Sequence, residues 1–251
     1  MPDPWACFAD SPRSAGLFLD FDGSLSEITH HPDGARPRPG VSRLLGELVS
    51  RLGRVAILTG RPVGYLVGMI PAAVDIVGLY GLEWRRGGRH ETLPEAEVWR
   101  ATVRGVVAEA VDRFGSRTVE AKGLSLTLHY RDDSDRLDRL ERWANERALD
   151  TGLVLRPARK SLELHPPIER DKGTALLELA SGLDPVAYVG DDLGDLPAFD
   201  GLDVLDARGV RTVRVAVRSG EAPPDLLGRA DVGVDGPAGA EQLLTGLVEL
   251  V

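Results

Sequence analysis

The sequence predicts an α/β fold in which a parallel sheet, covered by helices on both faces, is interrupted by a smaller α+β unit. Short apolar segments alternate with helical patterns at both ends of the chain, which is typical of parallel strands buried on both faces. In the middle of the chain, apolar and polar residues alternate, as in a sheet with one buried face. We therefore assign residues 1–93 and 168–251 to a core domain and residues 94–167 to an inserted domain.

The core domain begins with a predicted strand at 17–20 that ends in a carboxylate-rich turn. A polar loop then leads to a helix at 41–52, whose apolar residues recur at helical spacing. Further strands are predicted at 55–58, 74–79, 186–189, 213–217 and 232–234. Two more helices are predicted, one from 171 to about 181 and one at 238–250. This alternation indicates a Rossmann-like, doubly wound sheet.

The inserted domain is predicted to contain two helices and several strands. The helices are expected at 94–114 and 135–149, and the strands within 118–130 and at 153–155 and 161–165. In the first strand region, Leu124, Leu126 and Leu128 alternate with the polar residues Ser125, Thr127 and His129. This alternation indicates one buried and one polar face. Pro166-Pro167 would then break any regular element and mark the return to the core domain.

Composition narrows the class of protein. Of the 251 residues, 43% are apolar and 27% are charged, the proportions of a soluble globular protein. No apolar stretch approaches the roughly 20 residues that span a bilayer, and the first ten residues lack the features of a secretory signal. Because Cys7 is the single cysteine, no intrachain disulfide can form, so we expect a cytoplasmic protein. We also expect a monomer. A net charge of −9 argues against a nucleic-acid partner.

Two aspartates, Asp20 and Asp22, directly follow the first predicted strand. One carboxylate can attack phosphorus and form an acyl phosphate. A second carboxylate can give a proton to the departing oxygen and later take one from the water that hydrolyses the intermediate. The pair alone is also compatible with an ordinary turn. Its interpretation depends on three further motifs, which should converge with it at the carboxyl ends of the strands.

The second motif, Thr59-Gly60-Arg61, follows the second predicted strand. A hydroxyl and exposed backbone N–H groups at a helix start suit a phosphoryl oxygen. Thr59, Gly60 and Arg61 are therefore candidate substrate-binding residues. Threonine is also a common N-cap, so the motif has a purely structural alternative.

The third motif is Lys172, in the first predicted turn of a helix that Asp171 caps. The helix dipole disfavours a cation there. The chain has only three lysines among its 30 basic residues, so we interpret Lys172 as a compact charge for a phosphate and a nucleophile. A solvated surface lysine is the alternative.

The fourth motif, Gly190-Asp191-Asp192-Leu193-Gly194-Asp195, follows a late strand. Carboxylate oxygens suit Mg²⁺, which commonly uses one or two carboxylates, waters and the substrate phosphate. Asp191 is the first candidate ligand. Asp192 and Asp195 either bind the metal as well or orient Lys172, and the alternative for the whole motif is a capped, solvated turn.

In this order, the four motifs resemble those of the haloacid dehalogenase-type phosphohydrolases. The resemblance implies that Asp20 is the nucleophile and Asp22 the acid and base. Thr59 and Lys172 would hold the phosphoryl group. Asp191, with Asp20 and the backbone carbonyl of Asp22, would bind Mg²⁺.

The inserted domain lies where the larger cap domains of this superfamily are placed. Four segments, residues 78–83, 120–125, 129–131 and 163–168, resemble trehalose-6-phosphate phosphatases in particular. The resemblance implies that a set of polar residues faces the sugar: Glu83, Lys122, His129, Arg131 and Glu163. Solvated charges at strand ends are the alternative. The chain departs from the family pattern at Tyr80, where a histidine is usual, and at His165, where an arginine is usual.

We therefore expect a Mg²⁺-dependent phosphatase that acts on a phosphorylated disaccharide, first of all trehalose 6-phosphate, through an aspartyl-phosphate intermediate. The cap would close over the sugar and exclude water. The departures at Tyr80 and His165 leave open another sugar phosphate or a glycosyl-glycerate phosphate. A phosphotransferase and a non-catalytic sugar-phosphate sensor are further alternatives. We expect neither a nucleic acid nor a membrane as partner.

Overall fold

The computed structural model describes residues 3–29, 34–130, 134–158, 160–220 and 222–251. The chain divides into two units, one formed by Met1–Glu91 with Arg170–Val251 and the other by Thr92–Glu169. The chain passes from one unit to the other after Glu91 and after Glu169. Each of these points lies two residues from a boundary that we placed, after residue 93 and after residue 167. In the described part of the chain, no helix combines the length and the apolar character that crossing a membrane requires.

The first unit contains a sheet built from both ends of the chain. Its strands are β1 (Gly16–Leu19), β2 (Arg54–Leu58), β3 (Asp75–Gly78), β4 (Glu83–Arg86), β5 (Arg89–Thr92), β10 (Val186–Gly190), β11 (Thr212–Arg218) and β12 (Val232–Asp235). They are ordered β12-β11-β10-β1-β2-β3-β4-β5. Neighbouring strands from β12 to β3 are parallel, and β4 runs antiparallel to β3. Strand order reverses between β1 and β10, where open α/β sheets bind ligands.

Helices cover both faces of this sheet. They are α1 (Ala6–Asp10), α2 (Val41–Arg51), α3 (Val63–Leu66), α7 (Lys172–Leu179), α8 (Leu196–Asp206), α9 (Pro224–Arg229) and α10 (Gly236–Leu250). Alternate residues of β1 enter different cores. Leu17 and Leu19 belong to the core that includes α2 and α10, whereas Phe18 belongs to the core that includes α7 and α8. The predicted α/β fold with a doubly wound parallel sheet is thereby confirmed.

The second unit pairs helices with a smaller sheet. Its helices are α4 (Pro94–Glu97), α5 (Arg100–Phe114) and α6 (Leu137–Thr151), and its strands are β6 (Val119–Ala121), β7 (Leu126–His129), β8 (Val154–Ala158) and β9 (Ser161–His165). The strands are ordered β6-β7-β9-β8, and neighbours run antiparallel. The leucines of β7 and β9 are buried with residues of α5 and α6. The alternate residues of these strands therefore form the opposite, polar face.

Some elements differ from the sequence prediction. The helix predicted at 94–114 is two helices, α4 and α5, and the strand region 118–130 is divided by a turn at Gly123, whose φ of +84° is left-handed. The hairpin β4–β5 was missed because its residues are mostly charged. We also missed α8, although its apolar residues recur at helical spacing.

Candidate active site

Three motif residues directly follow neighbouring parallel strands: Asp20 after β1, Thr59 after β2 and Asp191 after β10. The ladder of backbone hydrogen bonds extends past the strand ends. The N–H of Asp20 donates to the carbonyl of Val189 at 2.8 Å, and that of Thr59 donates to the carbonyl of Val77 at 2.9 Å. All three motif residues are buried, so the sheet holds their side chains rigidly at one edge.

Lys172 is the first residue of α7. The helix begins there because the Asp171 carboxylate accepts a hydrogen bond from the backbone N–H of Thr174, whose hydroxyl completes a capping box. The buried Nζ of Lys172 donates to Oδ1 of Asp20 at 2.6 Å and to Oδ1 of Asp195 at 2.7 Å. One ammonium thus joins the first and fourth motifs.

The charges of this cluster act on one another. Burial raises the pKa of Asp20 well above its usual range. Lys172 opposes this shift, and the carboxylates of Asp195 and Asp191 add to it. Burial disfavours the ammonium of Lys172, but the charges of Asp195 and Asp20 outweigh that effect and raise the pKa of Lys172. Lys172 therefore stays protonated, and the ionised form of Asp20 is disfavoured in this cluster, so a further cation nearby would stabilise it.

Asp195 ties the cluster together. Its Oδ1 accepts from Lys172 and from the hydroxyl of Tyr188 at 2.6 Å. Its Oδ2 accepts from the backbone N–H groups of Asp191 at 2.8 Å and Asp192 at 3.0 Å. Burial, and then the charge of Asp195, raise the pKa of Tyr188, so its hydroxyl remains a donor. Tyr188 was not among the residues predicted from the sequence, although a tyrosine in a buried aliphatic strand needs a partner for its hydroxyl.

Asp20, Asp191 and Asp195 offer carboxylate oxygens that lie within 4.8 Å of one another. Three carboxylates beside one ammonium leave negative charge in excess, and hard oxygen donors suit a divalent cation such as Mg²⁺. Gly23 provides the necessary space: a Cβ there would lie 2.1 Å from Oδ2 of Asp191, and its φ is +84°. The donor set therefore fits such an ion. Asp192 caps the 3₁₀ turn that follows it.

Asp22 is paired with Arg61. Arg61 donates from Nε to Oδ2 and from Nη2 to Oδ1 of Asp22, both at 2.6 Å, a bidentate arrangement that fixes geometry as well as charge. The guanidinium lies 4.1 Å from the centroid of the Tyr65 ring. Arg61 was predicted to bind the substrate, and no pattern in the sequence indicates this pairing with Asp22.

The Thr59-Gly60-Arg61 motif forms a tight loop. The hydroxyl of Thr59 accepts from the backbone N–H of Arg61 at 3.1 Å. Thr59 is not an N-cap, because α3 has Pro62 in that position. Gly60 lies against Tyr80, whose hydroxyl would be 2.6 Å from a Cβ at Gly60. Tyr80 has a φ of +57°, a strained conformation that persists only where the surroundings enforce it.

Glu83 lies at the start of β4, in the first unit. Its Oε2 accepts a hydrogen bond from the backbone N–H of Val63 at 3.0 Å. Glu83 thereby supports the first turn of α3, directly after the Thr59-Gly60-Arg61 motif. Its contact with a sugar remains a prediction.

Glu163 lies on the polar face of the second unit's sheet. Glu163 is buried, and its Oε1 accepts a hydrogen bond from the hydroxyl of Ser125 at 2.6 Å. The Nζ of Lys122 lies 3.6 Å from its Oε2. On the neighbouring strand, Nε2 of His129 lies 2.9 Å from the carboxylate of Glu120. The second unit thus brings Lys122 and Glu163 together, whereas His129 has a different partner.

Two further residues from the sequence analysis also belong to the second unit. His165 is buried at the end of β9, and its Nδ1 lies 2.7 Å from the carbonyl oxygen of Pro166. Because a carbonyl only accepts, Nδ1 carries the proton. Burial, and then the positive charge of Arg156, lower the pKa of His165, so it is neutral at pH 7. Arg131 lies outside the described residues.

Solved structures with the same fold include a trehalose-6-phosphate phosphatase related protein. It superposes with a TM-score of 0.79 at 21% identity, over 94% of this chain and 97% of that chain. The C-terminal domain of the C. albicans trehalose-6-phosphate phosphatase superposes with a TM-score of 0.75, also at 21% identity, over 97% of this chain and 95% of that one.

The sequence is similar to the trehalose-phosphate phosphatase of Mycobacterium ulcerans, with 33% identity over 226 residues. The match covers 84% of this chain and 55% of the relative, so the chain spans about half the length of the curated relatives it matches. The sequence model of the trehalose-phosphatase family matches residues 18–226, a range that contains all four motifs. The chain therefore belongs to the trehalose-phosphatase family, which confirms the resemblance noted in its sequence.

Proposed function

We propose that this chain is a divalent-cation-dependent phosphatase that hydrolyses trehalose 6-phosphate to trehalose and phosphate. The observation that carries the proposal is the buried cluster in which the Lys172 ammonium lies 2.6 Å from Asp20, beside Asp191 and Asp195. Binding alone requires no nucleophile, so this cluster favours an enzyme over a sugar-phosphate sensor. Trehalose 6-phosphate is proposed as the substrate because the chain is similar in sequence to trehalose-phosphate phosphatases.

In the proposed reaction, a carboxylate oxygen of Asp20 attacks phosphorus as the bond from phosphorus to the sugar oxygen breaks. Asp22 gives a proton to that departing oxygen. Water then attacks the aspartyl phosphate, Asp22 takes up the proton of the water, and Asp20 is released with inorganic phosphate. Lys172 and the hydroxyl of Thr59 hold the phosphoryl oxygens, and the ammonium offsets their charge.

Asp20, Asp191 and the backbone carbonyl of Asp22 would hold Mg²⁺. When bound, the ion orients the phosphoryl group and neutralises part of its charge. Asp195 is engaged with Lys172, Tyr188 and two backbone N–H groups. We therefore assign it to orienting the cluster rather than to binding the metal.

We also propose that a set of polar residues contacts the sugar: Glu83, Lys122, His129, Arg131 and Glu163. Carboxylates accept hydrogen bonds from hydroxyl groups, and a buried carboxylate such as Glu163 needs partners for both oxygens. The neutral His165 has one ring nitrogen free of a proton, so it can accept a hydrogen bond where the family's usual arginine can only donate. This difference bears on which sugar is preferred.

Phosphate release from trehalose 6-phosphate, with Mg²⁺ and with EDTA, tests the proposal. Glucose 6-phosphate, sucrose 6-phosphate and a glucosylglycerate phosphate complete the panel. We expect Mg²⁺-dependent release that is highest for trehalose 6-phosphate and absent in Asp20→Asn. Asp235→Asn, a change at an exposed aspartate, is the matched control.

Near wild-type activity of Asp20→Asn would exclude Asp20 as the nucleophile. A preference for a different ester would exclude trehalose 6-phosphate as the substrate. Phosphate passing to a second sugar rather than to water would indicate a phosphotransferase.

A further inference from the structure

The bidentate pair between Arg61 and Asp22 points to a role for Arg61 that differs from phosphate binding. We propose that Arg61 is a positioning residue, which fixes the Asp22 carboxyl group in the orientation needed for proton transfer. The inference rests on the function proposed above, because it requires Asp22 to act as acid and base. Arg61 itself moves no proton.

The geometry of the pair restricts both torsion angles of the Asp22 side chain. Nε and Nη2 of Arg61 each bond a different oxygen of Asp22 at 2.6 Å, so the carboxyl plane must lie in line with the guanidinium plane. The Asp22 side chain is 37% exposed, and without this fork it would sample several rotamers. A lysine in the place of Arg61 would bond as a point charge and would leave the plane free.

Arg61 is itself held from several directions. Its backbone N–H donates to the hydroxyl of Thr59 at 3.1 Å, and its backbone carbonyl accepts from Leu79 at 3.0 Å. Its guanidinium lies 4.1 Å from the centroid of the Tyr65 ring, and the Tyr65 hydroxyl donates to the carbonyl of Ala35 at 2.8 Å. The guanidinium is therefore a fixed support rather than a mobile surface group.

Orientation matters because a proton moves efficiently only between groups within hydrogen-bond reach and in line. In the first step, the bond from Asp20 to phosphorus forms, the bond to the sugar oxygen breaks, and the proton leaves Asp22 for that oxygen. A misdirected Asp22 would leave a sugar alkoxide to depart without a proton. The loss should therefore depend on how much the leaving group needs protonation.

The test compares two phosphate esters. The alkoxide of a sugar requires a proton on departure, whereas p-nitrophenolate leaves without one. The quantity compared is the ratio of kcat/KM for trehalose 6-phosphate to kcat/KM for p-nitrophenyl phosphate. We expect Arg61→Met to lower this ratio by about 10 to 100-fold. Because kcat/KM reports only steps up to the first irreversible one, the shared hydrolysis of the aspartyl phosphate does not enter the ratio.

A double-mutant cycle shows whether Arg61 acts through Asp22. Asp22→Asn should lower the same ratio, and adding Arg61→Met to it should lower the ratio little further. Arg61→Lys should resemble Arg61→Met, since it keeps the charge without the fork. Arg36→Met is the matched control, because Arg36 is an exposed arginine that contacts the Tyr65 hydroxyl, and it should leave the ratio unchanged.

Other outcomes would overturn the inference. Equal losses for both esters, expressed mainly in KM, or additive effects in the cycle would mean that Arg61 binds the phosphate directly.

Circular dichroism and urea unfolding show whether each variant folds. If Arg61→Met does not fold, Tyr65→Leu, which removes the supporting ring, should lower the same ratio. If wild type prefers another sugar phosphate, that ester replaces trehalose 6-phosphate. A wild type that hydrolyses no phosphate ester refutes the proposed function, and the inference with it, whereas an active enzyme with an unchanged ratio refutes the inference alone.

Discussion

Nζ of Lys172 lies 2.6 Å from Oδ1 of Asp20, although 152 positions separate the two residues in the chain. The same ammonium lies 2.7 Å from Oδ1 of Asp195. Buried ion pairs are seldom more stable than apolar residues of the same volume, whereas loss of one partner leaves an uncompensated charge. If Asp20 is removed, Asp195 still pairs with the ammonium, whereas removal of Lys172 leaves two buried carboxylates without a partner charge. The two changes should therefore affect stability in opposite ways.

Asp20→Asn should abolish turnover yet leave the protein at least as stable at pH 7. Burial raises the pKa of Asp20. A carboxyl group of this kind contributes fully to stability below its unfolded pKa of about 3.9, and that contribution is lost as the pH rises through the folded pKa. Urea unfolding in EDTA from pH 4 to pH 8 should therefore show the advantage of the variant growing with pH. A variant clearly less stable than wild type at pH 7 would contradict this.

Lys172→Met should lower the free energy of unfolding by about 3–5 kcal/mol, because Asp20 and Asp195 would stay buried without their ammonium. The same urea series measures it. Since the loss arises from carboxylate repulsion, the double variant Lys172→Met with Asp20→Asn should regain part of the stability. A double variant no more stable than Lys172→Met would show that the loss has another origin.

A divalent cation should stabilise the folded chain independently of turnover. A ligand at one hundred times its Kd adds about 2.7 kcal/mol to the free energy of unfolding, so Mg²⁺ should raise the Tm measured against EDTA. Asp191→Asn should remove most of that rise, because Asp191 belongs to the buried carboxylate cluster. The exposed control Asp235→Asn should retain it. An equal rise in both variants would place the ion elsewhere.

The positions of Asp20, Thr59, Lys172 and Asp191 were predictable because each directly follows an apolar strand or opens a helix. Parallel strands end at one edge of a sheet, so the topology alone brings such residues together. The pairing of Arg61 with Asp22 was not predictable, since it depends on rotamers and on the distance between two loops.

The same distinction applies to the fold. Buried strands and amphipathic helices carry a periodic signal, so the large parallel sheet could be predicted from the sequence. The hairpin β4–β5 pairs at the edge of the sheet and is rich in charged residues, so no apolar pattern indicates it. Its strand pairing comes from the turn at Gly87 and Gly88, both with positive φ.

Gly23→Ala should disrupt the carboxylate cluster. The alanine would have to adopt a φ of +84°, and its Cβ would lie 2.1 Å from Oδ2 of Asp191. Asp191 must therefore move. Gly182→Ala is the matched control, because Gly182 has a φ of +77° and no atom of the described residues lies within 4 Å of its Cβ position. Both variants should lose about 1 kcal/mol from the backbone conformation, but only Gly23→Ala should also lose the Tm rise caused by Mg²⁺. Retention of that rise in Gly23→Ala would refute the role of Gly23 in shaping the cluster.

Tyr188→Phe isolates the hydrogen bond that supports Asp195. The variant keeps the ring, which packs edge-to-face with Phe199 at a centroid distance of 6.3 Å, and removes only the hydroxyl that donates to Asp195 at 2.6 Å. A hydrogen bond to a charged group contributes about 1.5–3 kcal/mol, so urea unfolding should show a loss of that order. Because Asp195 also holds Lys172, kcat should fall while KM changes little. A stability loss with unchanged kcat would mean that the two backbone N–H groups alone suffice to hold Asp195 in place.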